Sequence, residues 1–400
     1  MGDGTQRRQR AHGISPLNGE TRLSAGVDII PVETNELREA FIRLPWSLYA
    51  DDPQWVPPLL MEERRRIGSV SGRDANPARR MWIARSGGHT VGRISAQLDH
   101  NMDPSSDAPM GHFGWIDAID SQAVFNALFT AAESWLKAQG ARRCNGPFSF
   151  SINDESGLLV DGFDTPPMIL MPHARPYYAA RIEALGYAKE MDLIAYRIDL
   201  GKPLPRIAEK IRKLASDDPR LRLRQLNRRR FKDEITTVLD LFNDAWSGNW
   251  GFEPFSTEQI TDMAKALKPL LPPPAVCIAE YDGRPVAFAL GLPNINEMIR
   301  DLNGTLFPFG WAKLLYRIKF GRYGSGRLPL MGVRREFQGT PMGGALAIAV
   351  IDRLRTACIA HRVYTGELSW VLETNKGVRT IIEAFGAEAY KTYRVFSRTL

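Results

Sequence analysis

Gly332-Val-Arg-Arg-Glu-Phe-Gln-Gly-Thr-Pro-Met-Gly-Gly-Ala-Leu346 reads as the end of a strand, a tight glycine-bearing turn and the first turn of a helix. Ala345, Leu346, Ile348, Ala349, Ile351, Leu354 and Ile359 extend it as an apolar face at helical spacing. Thr340 offers a hydroxyl N-cap, and Pro341 takes the first helical position, where a missing N–H costs nothing. The amides of Met342, Gly343 and Gly344 are then expected to point outward at the positive end of the helix dipole, an anion site suited to a pyrophosphate.

A glycine turn alone also serves ordinary strand-to-helix connections, so the sequence after it decides the reading. Glu367-Leu-Ser-Trp-Val-Leu-Glu-Thr-Asn375 predicts a second buried strand ending in Asn. A short helix from Gly377 to Phe385, then Gly386 and a strand pair around Tyr390 to Arg398 are expected to follow. This order resembles the second half of the Gcn5-related N-acetyltransferase (GNAT) superfamily. There a Gln/Arg-x-x-Gly-x-Gly/Ala turn holds the coenzyme A pyrophosphate, and an Asn after the next strand contacts the pantetheine arm. Gln338, Gly343 and Asn375 stand at the matching positions, with Gly339, Met342 and Gly344 in the same turn. Pro341 replaces the first motif glycine, which removes one phosphate donor. The resemblance implies acyl-CoA as co-substrate and a backbone N–H around Val333 as donor to the developing oxyanion.

Composition agrees with such a protein: 400 residues, 44% hydrophobic and 24% charged, are a soluble globular chain with room for two domains. No apolar run is long enough to span a bilayer and no secretory signal is recognisable, so a cytoplasmic protein is expected. Cys144, Cys277 and Cys358 are far apart in sequence and read as buried hydrophobes in a reducing compartment; no His or Cys spacing predicts a metal site. The net charge of +7 is mild and suits an acidic ligand, an anionic membrane surface or RNA. The clusters Arg64-Arg65-Arg66 and Arg228-Arg229-Arg230 read as solvated helix faces, and without a basic stripe or stacking platform no nucleic-acid partner is expected.

A faint internal repeat sets the domain plan. Ile83-Ala-Arg-Ser-Gly-Gly-His-Thr-Val91 parallels Ile278-Ala-Glu-Tyr-Asp-Gly-Arg-Pro-Val286, and Ile182-Glu-Ala-Leu-Gly186 parallels Ile382-Glu-Ala-Phe-Gly386, at offsets of 195 and 200 residues. The expected organisation is α/β: a disordered tail over residues 1–26 and two tandem GNAT-like domains over 27–200 and 201–400, each a mixed, mostly antiparallel sheet flanked by helices. Copy one carries Asp117-Ala-Ile-Asp-Ser121 where copy two carries its glycine turn; two carboxylates there repel a pyrophosphate, so one cofactor per chain is expected, in copy two.

Two segments stand out as carriers of specificity. In copy one, Gly146-Pro-Phe-Ser-Phe-Ser-Ile-Asn-Asp-Glu-Ser-Gly157, Gly162-Phe-Asp-Thr-Pro-Pro-Met168 and Met171-Pro-His-Ala-Arg-Pro-Tyr-Tyr178 form a long loop, read either as a plug between the copies or as a substrate loop. On the second reading Asn153, Asp154, Glu155, His173 and Tyr177 face the substrate. In copy two, residues 296–327 carry a basic surplus of +4 and a helix predicted to place Trp311, Leu314, Leu315 and Ile318 on one face and Lys313 and Arg317 on the other. Such a helix suits a bilayer interface or a lipid-binding mouth, with Trp311 touching the substrate, and equally suits an amphipathic cover over the core.

An amine must be neutral to attack a thioester, so a base or water relay is required. Glu253, Asp154, Glu155, Glu367 and His173 are the candidates, and the sequence does not rank them. Many GNAT enzymes use a Tyr about seven residues beyond the Asn as acid; Ile382 occupies that place here, leaving Tyr390 and Tyr393 as substitutes or plain sheet residues. Over residues 27–400 the chain resembles the tandem GNAT-like proteins of bacteria, and its Pro-Phe-Ser-Phe-Ser-Ile-Asn and Gly-Phe-Asp-Thr-Pro-Pro-Met motifs resemble those of the group containing GNAT-type ceramide synthases. That resemblance implies transfer of a long acyl group from acyl-CoA to a sphingoid amine at the cytoplasmic face of the inner membrane. An acetyl-CoA-dependent enzyme acting on a soluble amine, or a CoA-binding module without catalysis, are the alternatives.

Overall fold

Among the described residues, thirteen strands form one continuous sheet in the computed structural model. The structure describes residues 26–68, 76, 78–102, 108–150, 152–252, 254, 273–321 and 323–400, so nearly all of the expected tail and Glu253 lie outside it. The first copy supplies β1 (Asp28–Pro31), α1 (Asn35–Leu48), α2 (Leu60–Ile67), β2 (Arg79–Ser86), β3 (His89–Met102), β4 (Pro109–Ala118), α3 (Gln122–Ala138), β5 (Arg143–Gly146), β6 (Leu158–Asp161), α4 (Tyr178–Glu183) and β7 (Ala188–Asp199). The second supplies α5 (Arg206–Ser216), β8 (Leu221–Gln225), α6 (Phe231–Trp246), β9 (Val276–Tyr281) and β10 (Arg284–Pro293). It continues with α7 (Asn296–Ile299), α8 (Gly310–Phe320), β11 (Ser325–Val333), α9 (Pro341–Ala360), β12 (Thr365–Leu372), α10 (Lys376–Ala384) and β13 (Glu388–Thr399).

The sheet order is β1-β2-β3-β4-β5-β13-β7-β12-β11-β10-β9-β8, with β6 also on β13. The expected C-terminal strand pair is instead one long strand. β13 leaves its own copy to pair with β5 and β6 of copy one, while β7 pairs with β12 of copy two. The two exchanged strands also pair with each other, from Glu388 opposite Arg197 to Ser397 opposite Ala188. Separating the copies therefore breaks main-chain ladders in the middle of the sheet, where every freed buried N–H and C=O costs free energy.

Helices cover both faces. α9 is buried almost all round, as its composition demands: Ile348 and Ile351 meet the sheet core, and Ala345 and Ala349 meet Ala215 of α5. α8 does not cover the core, the second of the two readings of the insertion. None of its residues is buried, and Trp311, Leu315, Tyr316, Ile318 and Phe320 face outward while half-buried Leu314 packs toward Val56, Ile299 and Leu302. Arg317 turns inward and forms a two-pronged pair with Asp301 at 2.5 and 2.9 Å. Arg327 does not belong with the basic insertion: it is a buried residue of β11, which reduces the surplus of the segment to +3.

Candidate active site

β11 and β12 are parallel neighbours only from Ser325 opposite Thr365 to Leu328 opposite Leu368. Beyond that point they part. Pro329 has no N–H to give to a ladder, and β12 shifts register between Leu368 and Val371. The opening is a groove of about 1370 Å3, solvent at its mouth included, lined by Val333, Gln338, Gly339, Gly343, Gly344 and Asn375 among others. Six of the residues picked out by sequence thus meet in one place. Two helix N-termini converge on it, capped by Thr340, whose Oγ1 accepts from Gly343 N at 3.1 Å, and by Asn375, whose side chain accepts from Val378 N at 3.2 Å.

The turn differs in detail from its sequence reading. The amide of Gly343 is taken by the Thr340 cap, and that of Gly344 by Thr340 O at 3.2 Å, so neither is free for a phosphate. Among the described residues the amides of Gly339 and Met342 make no hydrogen bond, and the Met342 side chain packs inward beside Ala345. Gln338 does not reach outward either: its Nε2 donates to Ala245 O and Val333 O, both at 2.9 Å, tying the turn to α6 and β11. Glycine is required at 343 because a Cβ there would lie 2.1 Å from Phe337 O. At Gly344 the reverse holds: nothing lies within 4 Å of the Cβ position, and that open space belongs to the groove.

Groove-facing amides follow from strand geometry. Met331 O accepts from Trp246 Nε1 at 2.8 Å and Val333 O from Gln338, so both carbonyls point to the open edge of β11, and the N–H of the same residues points with them. Trp246 and Trp370, with ring centroids 5.9 Å apart, lie across the groove.

Behind the groove is a buried polar cluster. Arg327 and Glu367 face each other in register, 3.7 Å apart. Ser369 joins them and also lines the groove: its hydroxyl accepts from Arg327 Nε at 2.7 Å and donates to Glu367. Tyr390 donates to the other carboxylate oxygen, and burial raises its own phenol so that it stays protonated. Tyr393 is fully buried, and among the described residues its hydroxyl has no hydrogen-bond partner, though Glu367 and Arg327 are within electrostatic reach. Burial drops the Lys391 amine to about 8, and its Nζ holds Gly162 O at 2.8 Å and Thr165 O at 2.7 Å. Of the candidate bases, Glu367 alone is seen beside the groove.

The copy-one candidates do not line the groove, though Glu155 is within electrostatic reach of Arg327 and His173 of Lys391. Glu155 pairs with Arg66 at 3.1 Å, beside half-buried Asn153 and exposed Asp154. His173 Nε2 meets Asp52 at 2.8 Å, and burial lowers its imidazole, which favours the neutral ring. Tyr177 donates to Ala118 O at 2.7 Å, and Trp311 is half exposed on α8, its indole on Pro308 O at 3.0 Å. The loop itself links the copies: Arg327 donates to Ile169 O at 2.9 Å and Asn296 to Pro167 O at 2.9 Å. At the β4–β5 opening of copy one, among the described residues, the corresponding space is occupied. Phe148 N bonds Phe113 O there, and a Cβ on Gly114 would fall 1.7 Å from Phe148 O, so the chain fills its own gap. Asp117 is likewise consumed, by Arg93 at 2.7 Å and Tyr49 at 2.7 Å.

Sequence reasoning missed Trp246, Ser369 and Arg327. A lone arginine in the otherwise apolar Leu328–Val333 neighbourhood was the available signal for the last of these.

No family model matches the chain. It is 46% identical to protein YghO of Escherichia coli (strain K12) over 371 residues, covering 92% of this chain and 93% of that one. It is 43% identical to the bacterial ceramide synthase of Caulobacter vibrioides over 379 residues, 94% and 98% of the two chains. Among solved structures it resembles a tandem GNAT protein from the clavulanic acid biosynthesis pathway, with a TM-score of 0.54 and 14% identity over 93% of this chain and 98% of that one. A GCN5-related N-acetyltransferase from Sphaerobacter thermophilus matches with a TM-score of 0.52 and 15% identity, over 93% and 95%.

Proposed function

The chain belongs to the family of tandem GNAT-fold proteins that includes YghO and the Caulobacter ceramide synthase, and from that premise we propose that it transfers a long-chain acyl group from acyl-CoA to the primary amine of a sphingoid base. The observation that carries the reading is the groove between β11 and β12, with two helix N-termini at its mouth and the Ser369–Glu367 pair at its floor. The pyrophosphate sits at Gly339 to Gly344, where the amides of Gly339 and Met342 and the α9 dipole meet it. The pantetheine arm runs along the Met331 and Val333 edge toward Asn375.

The reaction then needs few parts. The neutral amine attacks the thioester carbonyl, a C–N bond forms, and the oxyanion takes a hydrogen bond from the Met331 or Val333 amide. As the C–S bond breaks, the proton on nitrogen passes to Ser369 Oγ while the Ser369 proton moves to Glu367, and the CoA thiolate leaves. Arg327 and Tyr390 keep the carboxylate oriented.

The outward face of α8 supports a lipid acceptor delivered from an anionic bilayer. Phe309 is 78% exposed, Phe307 74% and Tyr316 65%, an apolar surface a water-facing protein seldom shows. Arg300, Lys313 and Lys319 accompany it, and among the described residues no helix is long and apolar enough to cross a membrane. A thiol-release assay with sphinganine and donors from acetyl-CoA to palmitoyl-CoA tests the reading. Release is expected with long donors and to rise on phosphatidylglycerol vesicles; no release with any donor and amine refutes it.

Gly344→Val gives an independent check on the groove. Valine in the first turn costs the helix nothing relative to glycine, and the site is open, so the denaturation midpoint is expected to hold or rise. The branched side chain occupies the groove, so CoA affinity by calorimetry should drop about tenfold or more. Unchanged affinity removes the turn from the CoA site.

A further inference from the structure

A second, apolar cavity continues from the groove. Leu328, Ile351, Leu368 and Ile382 wall both spaces, and from them the cavity follows the C-terminal half of α9 between that helix, α10 and the sheet. The non-atom space it encloses is about 940 Å3, with open solvent and the gaps between the lining atoms included. Leu292, Leu354, Ala357, Val363 and Phe385 line it. Four of the polar residues at its edge are engaged elsewhere: Arg327 and Glu367 in the cluster on the other face, Arg355 on Lys202 O at 2.6 Å, and His361 Nδ1 on Ala357 O at 2.8 Å. Apart from these and Tyr323 the walls are mostly aliphatic and favour hydrocarbon. Pro293 and Tyr323, the residues flanking the α7–α8 insertion, both line it, so the cavity is rooted where the exposed aromatic segment leaves the fold.

We propose that this cavity holds the hydrocarbon tail of the acyl donor, and that its length sets chain-length preference; the proposal rests on the groove being the CoA site. A thioester at the parting of β11 and β12 has its reacting carbon beside Ser369, its CoA portion up the groove and its tail straight on past Leu328 and Leu368. The amine is left the opposite face, on the side of the copy-one loop. From Ile351 to His361 the helix rises roughly 15 Å, a trough for a long chain, not an acetyl group. Burial of each methylene raises affinity roughly fourfold.

The full chain is titrated with CoA, acetyl-CoA and palmitoyl-CoA, and Cys358 supplies a second readout because it lines the cavity half-buried while Cys144 and Cys277 are buried. Palmitoyl-CoA is expected to bind far more tightly than acetyl-CoA and to slow maleimide labelling of Cys358, with CoA alone leaving labelling unchanged. Gly291→Ile and Ala357→Phe narrow the cavity; a Cβ at Gly291 meets only ordinary contacts, nearest 3.8 Å. Each is expected to reduce the palmitoyl-to-acetyl affinity ratio by about tenfold or more. An unchanged ratio in both variants with wild-type melting, or equal labelling with and without palmitoyl-CoA despite tight binding, overturns the proposal. If the wild type binds neither CoA nor any thioester, the CoA site itself fails. Palmitate as free acid is the control: protection by palmitate but not by palmitoyl-CoA also overturns the assignment.

Discussion

Glu367→Gln is expected to lower kcat by about 100- to 10,000-fold, the span that loss of a general base removes, while CoA affinity stays within about threefold. The amide keeps an acceptor oxygen for one of the two hydroxyls, Ser369 or Tyr390, turns an NH2 donor to the other, and cannot take a proton at neutral pH. Because the carboxylate acts through Ser369, Ser369→Ala should lose a similar factor, and the double variant should be little worse than either single one. Additive losses would mean that the two side chains act separately. A Glu367→Gln enzyme with near-normal kcat would sink the relay and return the choice of base to residues such as Glu253. Calorimetry on each variant separates a chemical defect from a lost groove.

How much of this was legible in the sequence depends on what kind of information each residue carried. The Gly332–Leu346 turn was readable because cap, proline and glycine act locally, and Thr340 does cap α9. The same capping rule implies that the hydroxyl takes the amide of Met342 or Gly343, and only its direction in three dimensions selects Gly343. Gln338 matched a motif position, yet its amide ties backbone, because Ala245 comes near only through the α6 packing. The exchange of β7 and β13 left no trace in periodicity: alternation tells which face of a strand is buried, not which neighbour it has. The expectation that Asn153, Asp154, Glu155, His173 and Tyr177 face a substrate comes from composition, which carries no information about their partners within the fold. Their partners, Arg66 for Glu155 and Asp52 for His173, lie 89 and 121 residues away in sequence. α8 was recognised as amphipathic, but amphipathicity does not say which face meets the protein. Asp301 decided that by pairing with Arg317, which also reaches Met298 O, while Lys313 joins the same carboxylate from the exposed side.

Arg327 connects the chemistry to the architecture, and Arg327→Met is expected to destabilise the chain by about 3–5 kcal/mol, the cost of breaking a buried pair from one side. The guanidinium is 5% exposed and serves four acceptors besides the carboxylate: Ser369 Oγ at 2.7 Å, Ile169 O at 2.9 Å, Ser369 O at 3.2 Å and Leu170 O at 3.3 Å. Methionine matches the length of the stem and fills the space, so the loss is electrical and hydrogen-bonding, not a cavity. Two things are left behind: an uncompensated Glu367 and carbonyls of the copy-one loop without donors, each of the latter worth about 1–3 kcal/mol if it stays buried. Urea denaturation reads the total, and limited proteolysis between Gly162 and Met171 reads the loop, which should open before the sheet does. Removing the charge opposite as well, in Arg327→Met with Glu367→Gln, should recover part of the loss, because a buried pair costs less to replace whole than to halve. Catalysis does not return with it, since the base is gone. A single variant within about 1 kcal/mol of wild type would show that the cluster is not what fastens the copy-one loop to copy two. The loop would then be held mainly by Lys391 and by Ile169, which packs with Leu226 and Phe231 of copy two.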